Sequence, residues 1–285
     1  PQAVPVTSGY SDIYVPSINA GQMRNRGIEV VVNTTNIQNE KLIWTSDVVF
    51  SFNHNEVIDI NSETPLTRGG IGLNYNLARI QPGYPVNVFY GFVTEGIFQT
   101  DEEVQLSAVQ IPGSSSATST SAGDIRFQDL NNDGIINDDD RTFLGNPNPD
   151  FIYSLNNTFS YGNFSLNIFL QGVQGRDIFN ANRIYTEGMS ITTNQNASVI
   201  DRWTGPGSSN TIPRAIYGDP NNNARPSSRY IEDGSYLRVK NITLAYNIPS
   251  EVIGKGSFGG AKVYVSGQNL FTLTNYSGLD PEVGE

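Results

Sequence analysis

The sequence predicts an all-β fold of long antiparallel strands joined by long polar loops. Charged residues make up only 16% of the 285 residues, whereas ordinary soluble domains contain roughly 25%. Hydrophobic residues are also few, at 37%, while glycine, tyrosine and phenylalanine are abundant. Several segments alternate apolar and polar residues with a period of two, which is the pattern of a strand with one apolar face. Together these observations argue against helical bundles and α/β folds.

The first predicted strand pair lies in residues 27–53. Residues 27–35 are short and β-branched, and we expect a loop over residues 36–40. The second arm then alternates for about a dozen residues, although globular strands usually have about 5–6. Its apolar positions share one face: Leu42, Trp44, Val48, Phe50 and Phe52.

Residues 151–172 carry the clearest strand pattern in the chain. Two arms of alternating apolar and polar residues flank Gly162-Asn163, a two-residue turn signal. One face of the predicted hairpin is apolar, and it includes Tyr153, Leu155, Phe159, Leu166 and Ile168. The other face is polar, and it includes Ser154, Asn156, Thr158 and Asn167.

The length of these arms leaves two fold classes open. Ten steps from Phe151 to Tyr161 at a rise of about 3.3 Å span roughly 33 Å. A tilt of about 40° reduces this span to about 25 Å, the height of the apolar band of an outer-membrane β-barrel. A long hairpin in a soluble β-sandwich with one solvated face alternates in the same way. Spacing alone therefore does not separate the barrel from the sandwich.

The rest of the chain predicts further extended segments, two short helices and several loops. Residues 85–99 read as extended, and Thr100 with Glu103 forms a capping box, which predicts a helix over residues 101–109. A second short helix is expected over residues 196–203. Strands are expected at 236–249 and 261–274, and a change of phase around Asn241 indicates a bulge in the first of them. Long loops are predicted at residues 61–86, 113–123 and 204–229.

Charge and residue usage exclude several functions. The formal net charge is -11 and the pI is about 4.5, which argues against a nucleic-acid partner because such proteins present a basic face. The chain has no cysteine and a single histidine, His54, so thiolate chemistry and multi-histidine metal sites are not expected. We predict no catalytic residues and no cofactor-binding loop, and therefore no enzyme.

Residues 129–140, with the sequence DLNNDGIINDDD, match the frame of a calcium-binding loop. Gly134 stands at the position of the sharp bend, and Ile135 would offer its carbonyl oxygen. Asp140 replaces the usual glutamate at the last position, which makes bidentate binding harder, although dockerin-type loops accept it. The alternative is a turn rich in Asp and Asn that needs no metal. The predicted calcium ligands are Asp129, Asn131, Asp133, Ile135, Asn137 and Asp140.

Aromatic residues in the loops offer a second kind of candidate site. Trp203, Tyr217 and Tyr230 lie in segments without apolar periodicity. Exposed rings of this kind can stack on sugars, whereas buried rings only pack their own loop. The sequence leaves both interpretations open.

Several blocks of the sequence resemble the C-terminal barrel region of SusC/RagA-type TonB-linked outer-membrane transporters of Bacteroidota. The main block runs from GDIRFQDLNNDG to GRDIFN. The blocks follow the order found in the family and cover nearly the whole chain: 19–30, 90–104, 123–180, 201–214, 230–249 and 263–283.

This resemblance implies an antiparallel transmembrane β-barrel of about 22 strands that imports oligosaccharides or peptides across the outer membrane. It also implies a SusD-like lipoprotein as a lid, and TonB as a partner that acts through an N-terminal plug. On this interpretation residues 1–285 are a partial barrel domain that lacks the plug and the last strands and contains the calcium-like loop 129–140. The long loops are expected to include the surface that meets the lid. The alternative function is a secreted β-sandwich that binds glycans through a dockerin-like calcium loop.

Overall fold

The computed structural model describes residues 2–3, 17–18, 21–70, 76–114, 119–249, 252 and 260–282. The chain divides into two compact units. We call the first the loop unit, which comprises Pro1–Arg24, Glu56–Pro147 and Ile178–Glu232. We call the second the sheet unit, which comprises Asn25–Asn55, Asn148–Asp177 and Asp233–Glu285.

Strands dominate the structure, as the composition predicts. In chain order they are β1 (Gln2–Ala3), β2 (Ser17–Ile18), β3 (Gln22–Gln38), β4 (Leu42–Asp59), β5 (Leu66–Gly70), β6 (Asn76–Ile80), β7 (Val88–Phe92), β8 (Thr94–Ile97), β9 (Ile125–Phe127), β10 (Arg141–Gly145), β11 (Phe151–Tyr161), β12 (Phe164–Gln174), β13 (Asp177–Phe179), β14 (Ile231–Asp233), β15 (Tyr236–Ile248) and β16 (Ala261–Thr274). The helices are α1 (Asp101–Leu106) and α2 (Asn182–Thr186), with 3₁₀ turns at Asp138–Asp140, Ala197–Asp201 and Ser228–Tyr230.

The sheet unit is built on six strands in the order β16-β15-β12-β11-β4-β3. β11 pairs antiparallel with β4 and β12 over its full length, and β15 pairs antiparallel with β12 and β16. The predicted strand pairs at 27–53, 151–172 and 236–274 are confirmed, and β3 extends to Gln38, into the predicted loop. Strands of 11 to 18 residues follow from the long alternating segments of the sequence.

The register places the apolar residues of adjacent strands on one face. Leu155 lies between Val48 on β4 and Leu170 on β12. On the other side of β12, Leu166 and Ile168 face Leu244 and Ile242 of β15. The same face continues on β16, where Val265 is opposite Leu244. The alternation predicted from the sequence is therefore a continuous apolar face across the sheet.

Short turns and one bulge set this register. Gly162 adopts a φ of 55° in the predicted two-residue turn between β11 and β12. In β15 the register shifts between Val239 and Asn241, so that Lys240 is the extra residue of a bulge. The bulge explains the change of phase in the sequence. Because one residue is added, the apolar residues after it point to the same face of the sheet as those before it.

The connections leave the sheet unevenly. At one end of the strands, β3 passes into β4, and β11 into β12, within two or three residues. At the opposite end of the strands, the connection between β4 and β11 comprises residues 60–150, and the connection between β12 and β15 comprises residues 175–235. Short turns at one end and long connections at the other are the habit of outer-membrane barrels.

The loop unit contains more regular structure than the sequence predicts. Residues 61–86 are not one loop, because they hold β5 and β6, which join β7 and β10 in the order β10-β7-β6-β5. Helix α1 ends at Leu106, short of the predicted residue 109. Thr100 caps it, since its side chain accepts a hydrogen bond from the Glu103 N–H, while Glu103 accepts from Gln99 at 2.7 Å. Residues 71–75 and 115–118, which belong to predicted loops, lie outside the described residues.

Three small apolar clusters form the core of the loop unit. The first contains Phe92, Ile125, Phe127 and Ile136. The second contains Val57, Ile60 and Ile80, and the third Phe179, Ile184 and Tyr230. No helix in the described part of the chain is long and apolar enough to span a membrane.

Candidate functional site

The apolar face of the sheet has aromatic residues near both ends. At the end of the strands with the short turns, Trp44 stacks on Phe159 with a distance of 5.4 Å between ring centres, and the ring centre of Phe164 lies 4.6 Å from that of Tyr246. Near the opposite end of the strands, the ring centres of Phe50 and Phe151 are 5.3 Å apart. Aliphatic residues fill the band between them. This arrangement matches the two aromatic girdles that flank the lipid-facing band of an outer-membrane barrel.

A polar cluster interrupts this apolar face, and its groups bond to each other. Ser46 is only 8% exposed, and its hydroxyl donates to the side-chain oxygen Oδ1 of Asn157 at 2.6 Å. The Trp44 Nε1–H donates to the same oxygen at 3.0 Å, and Asn36 donates to the Ser46 hydroxyl at 2.7 Å. A lipid environment offers polar groups no alternative partner, so such groups must bond within the protein. In the sequence, Ser46 and Asn157 stand at positions of the period-two pattern that are otherwise apolar, and this is the signal that places them on the apolar face.

The opposite face of the sheet is polar and is joined by side-chain hydrogen bonds. Asn167 donates to Asn156 at 2.7 Å, and Asn156 donates to Asp47 at 3.1 Å. Further along the sheet, Asn241, Thr243 and Ser266 form a second network. These bonds rigidify a wetted surface without removing its polarity. The face suits the lumen of a barrel.

The chain after β16 is held by charged side chains of β15. Arg238, whose side chain is 4% exposed, pairs with Asp280 and with Glu282. Lys240, the bulge residue, pairs with Glu282 at 2.7 Å. The hydrogen bond from Arg238 lowers the pKa of Asp280. The bulge thus brings two cations to one place, where they fix the segment that contains Asp280 and Glu282.

The predicted calcium loop is a compact turn in which carboxylates accept backbone N–H groups. Asp129 accepts from Asn132 at 2.7 Å through Oδ1 and from Gly134 at 2.8 Å through Oδ2. Asn131 accepts from the Asp133 N–H at 2.9 Å. Gly134 has a φ of 85°, so it makes the sharp bend that the calcium-loop frame requires.

The two later ligand positions close the loop. Asp140 is fully buried, and its two oxygens accept from the N–H groups of Leu130 and Asn137, both at 2.8 Å. Asn137 caps the 3₁₀ turn that contains Asp140, because its side chain accepts from Asp139. Asp140 thereby ties the start of the loop to its end.

Ile135 lies where the loop contacts the segment after α1. Val109 donates to the Gly134 carbonyl and accepts from the Ile136 N–H, both at 2.9 Å. Neither bond uses the Ile135 carbonyl, which the sequence assigns to calcium. Among the described residues, no three acidic or histidine side chains form a group that could hold a metal ion. Calcium binding by this loop stays a prediction.

Sequence reasoning missed a second fully buried carboxylate of the loop unit, in addition to Asp140. Asp124 is fully buried and forms a bidentate pair with Arg214, with distances of 3.1 and 2.9 Å. Asn223 also donates to Asp124, and its own carbonyl oxygen accepts from the Ile125 N–H at 2.8 Å. Asp124 and Arg214 are 90 residues apart in the chain, so no local pattern points to the pair.

A second ion-pair cluster surrounds Tyr230. Glu187 accepts from Arg183 at 3.1 Å and from Arg229 at 2.7 Å, and Arg183 also pairs with Glu232. Tyr230 is 3% exposed, and burial raises the pKa of its phenol to about 12.

Tyr230 is therefore not an exposed ring for sugar stacking. Trp203 is half-buried and donates to Gln99 at 3.2 Å, so it packs its own loop. Of the three loop aromatics singled out in the sequence, Tyr217 is the one with an open ring, at 83% exposure.

The sheet defines a class of protein: a segment of antiparallel β-barrel wall with an aromatic-bordered apolar face and a polar lumen face. Comparisons with known proteins agree with this class. No family model matches the chain. The TonB-dependent receptor P26 of Formosa agariphila is 33% identical over 276 residues, which cover 93% of this chain and 26% of the relative. Receptor P3 of the same organism is 32% identical, with 96% and 26% covered. SusC of Bacteroides thetaiotaomicron is 26% identical, with 93% and 24% covered.

A solved structure shares the fold. The RagAB peptide transporter matches 99% of this chain and 29% of its own chain with a TM-score of 0.74 and 22% identity. The chain thus spans about a quarter of the length of the curated relatives, 24–26% in the three named above.

The chain thus resembles a β-barrel segment of TonB-dependent receptors of the SusC/RagA type: the sequence matches are to such receptors, SusC among them, and RagAB shares the fold. Receptors of this type are outer-membrane proteins. The family resemblance seen in the sequence is confirmed, and the alternative fold of a secreted β-sandwich is wrong. We therefore expect the apolar face that includes Leu155 to meet lipid and the face that includes Asn156 to meet the lumen.

Proposed function

We propose that the intact protein imports oligosaccharides or peptides across the outer membrane in a TonB-dependent manner, and that this chain supplies part of the barrel wall and outer loops. The observation that carries the proposal is the extended match to TonB-dependent receptors, at 33% identity over 93% of the chain. The two-faced sheet supports it, because an importer needs a lipid-facing exterior and a wetted interior.

The proposed chemistry is transport, without bond making or breaking by the protein. The polar lumen face carries amides and hydroxyls that bond to each other, such as Asn156, Asn167 and Thr243. Groups of this kind offer exchangeable hydrogen bonds to neutral polymers during passage.

We propose that a SusD-like lipoprotein covers the barrel mouth and that TonB drives import through a plug domain. The RagAB structures concern a peptide transporter, and SusC is a second relative of this chain. Peptide cargo is proposed from the RagAB match, and oligosaccharide cargo from what the family resemblance of the sequence implies.

The predicted lid-contacting loop 204–229 contains both buried and open positions. Asn221 and Arg225 are buried and hold the loop unit together. Tyr217 is 83% exposed and free to meet a partner. Removing the whole loop would destroy the Asp124–Arg214 pair, so single replacements at open positions test lid contact more cleanly than a deletion.

The test uses the intact receptor in its native outer membrane. Uptake of labelled oligosaccharides and peptides is measured in cells with and without TonB, and co-purification of the lipoprotein encoded beside the receptor is measured for wild type and Tyr217→Asp. We expect uptake to depend on TonB, and Tyr217→Asp to weaken lipoprotein recovery. Gln105→Asp, on a surface of α1, serves as the matched control. Equal uptake in cells without TonB would overturn the proposed function.

A further inference from the structure

An alternating series of arginine side chains and aromatic rings runs over one face of the small sheet β10-β7-β6-β5. The guanidinium carbon of Arg79 lies 4.3 Å from the centre of the Tyr90 ring, and that of Arg141 lies 4.9 Å from the same centre. The guanidinium carbon of Arg141 also lies 5.9 Å from the centre of the Phe92 ring, and that of Arg225 lies 5.0 Å from the same ring centre. Each contact is within the range of a cation–π interaction.

The strand register explains why these side chains share a face. Arg79 on β6 is opposite Val88 on β7, and Val88 is two residues from Tyr90. On the other side of β7, Phe143 is opposite Tyr90 and Arg141 is opposite Phe92. Since residues two apart in a strand point to the same face, Tyr90 is flanked by an arginine from each neighbouring strand.

The arginines of this series differ in how their charge is balanced. Arg225 donates to the carbonyls of Gln110 and Asn221. Arg141 donates to the carbonyls of Asn76 and Tyr90, and Asp138, an open carboxylate, lies 3.7 Å from it.

Arg79 has the Tyr90 ring and no carboxylate. Its Nε is buried without an acceptor, and within the described residues it makes no hydrogen bond or ion pair. In a chain with a net charge of -11, a half-buried arginine without an anion is unusual, because desolvating a charge is costly unless it is paired. An oxyanion that reached the accessible part of the Arg79 guanidinium would balance its charge.

An aromatic platform continues from this cation. Tyr84 stacks on Phe143 at 3.8 Å with an interplanar angle of 20°, and Phe143 meets the Tyr90 ring edge at 5.5 Å. Tyr84 is 38% exposed. The four side chains form a continuous series of contacts, in which Phe143 and Tyr90 lie between the Tyr84 ring and the Arg79 guanidinium.

We propose that Arg79, Tyr90, Phe143 and Tyr84 bind an acidic sugar unit of an oligosaccharide. Arg79 pairs with the sugar's carboxylate or sulfate, since a guanidinium matches the geometry of a planar or tetrahedral oxyanion. Tyr84 stacks on the apolar face of the sugar ring. An oligosaccharide fits better than a peptide because the platform is a flat stacked pair beside the cation rather than a pocket for a side chain. The inference rests on the proposed import function and adds an anionic cargo class to it.

The experiment measures binding to the purified intact receptor by calorimetry. The probes are hexagalacturonate, its neutral counterpart cellohexaose and hexaglutamate. The variants are Arg79→Gln and Tyr84→Ala, with Arg68→Gln as the matched control. Arg68 is an exposed arginine on the partner strand β5 and is opposite Ala78, on the other face of the sheet.

We expect Arg79→Gln to weaken hexagalacturonate binding by about tenfold or more, because a charge-assisted hydrogen bond contributes about 1.5 kcal/mol or more. Tyr84→Ala should also weaken it, and Arg68→Gln should leave it within about twofold. Cellohexaose should bind weakly and without dependence on Arg79.

Three results would overturn the proposal: no binding of hexagalacturonate, equal binding by wild type and Arg79→Gln, or an Arg79-dependent affinity for hexaglutamate alone. TonB-dependent uptake of another cargo would in each case leave the proposed import function standing, so the two failures are distinguishable.

Discussion

The sheet unit and the loop unit of this chain are stabilised in opposite ways. Among the residues that the structure describes, 19 apolar residues are buried, and of these only Val173, Tyr236 and Ala245 belong to the sheet unit. The sheet unit therefore has almost no core of its own, and its strands are joined by backbone ladders and cross-strand contacts. The loop unit has three apolar clusters and a buried polar network around Asp124.

The difference shows where each unit gains its stability. A barrel wall presents one face to lipid and the other to water, so its side chains are covered by the surroundings rather than by a second layer. Loops exposed to water have no such cover. They form a core of their own, and backbone groups buried in it must be satisfied internally. Asp124, Asn221 and Asn223 do this by bonding to backbone and to each other.

The sharpest test of the loop unit is the buried Asp124–Arg214 pair. Asp124→Ala in the intact receptor should lower the free energy of opening of the loop unit by about 3–5 kcal/mol, because it leaves Arg214 and the surrounding amides unpaired. Hydrogen exchange of residues 119–128 and 210–225 measures the change.

The matched control for Asp124→Ala is Glu95→Ala, which breaks an ion pair with Arg126 whose two side chains are about 40% exposed. It should cost less than about 1 kcal/mol. Equal loss of protection in the two variants would mean that the buried network does not stabilise the unit.

The sheet unit is tested by placing the same charge on its two faces. Leu155→Arg should cost about 2–4 kcal/mol in a folding titration in lipid, if the residue lies near the middle of the band. Asn156→Arg should cost much less, since it faces water and lies beside Asp47. Similar costs at the two neighbouring positions would contradict the assignment of lipid and lumen faces.

High pH should destabilise the loop unit through Tyr230, and this effect distinguishes it from the sheet unit. The pKa of Tyr230 is about 12 in the folded loop unit, raised by burial, against 10.0 for a free tyrosine. Its contribution to stability is therefore fully present below pH 10 and is lost as the pH rises toward 12, by up to about 3 kcal/mol. Tyr230→Phe should remove this part of the alkaline transition, as followed by proteolysis of the loop unit. An unchanged transition would show that other groups cause it.

The smallest expected effect concerns the predicted calcium loop. If it binds calcium with a Kd of about 1 mM, 10 mM calcium should stabilise the loop by about 1.4 kcal/mol. Calorimetry should show binding to wild type, loss of binding in Asp133→Ala, and retention in Asp139→Ala, which changes an exposed carboxylate outside the predicted ligand set. No heat of binding below 10 mM would leave the loop as a metal-free turn held by its Asp and Asn side chains.

The sequence alone determined the positions of the long strands of the sheet unit and the two faces of the sheet, although β3 and β4 are longer than predicted. This was possible because lipid and water impose a strict period of two, so that the environment of Leu155 or Asn156 is written into its immediate neighbours. The family resemblance rested on the same segments and on the blocks between them. The bulge in β15 was also legible, since one extra residue changes the phase of the pattern.

The tertiary structure alone decided the organisation of the loops. Strands β5 and β6 are short and lack alternation, so residues 61–86 read as a loop until β7 and β10 pair beside them. The pairing of Asp124 with Arg214 and the burial of Tyr230 depend on residues far apart in the chain. So does the Arg79–Tyr90–Arg141 series, which forms only when three strands lie side by side. Local patterns record contact with a uniform environment, whereas a core made of specific polar partners leaves no periodic trace in the sequence.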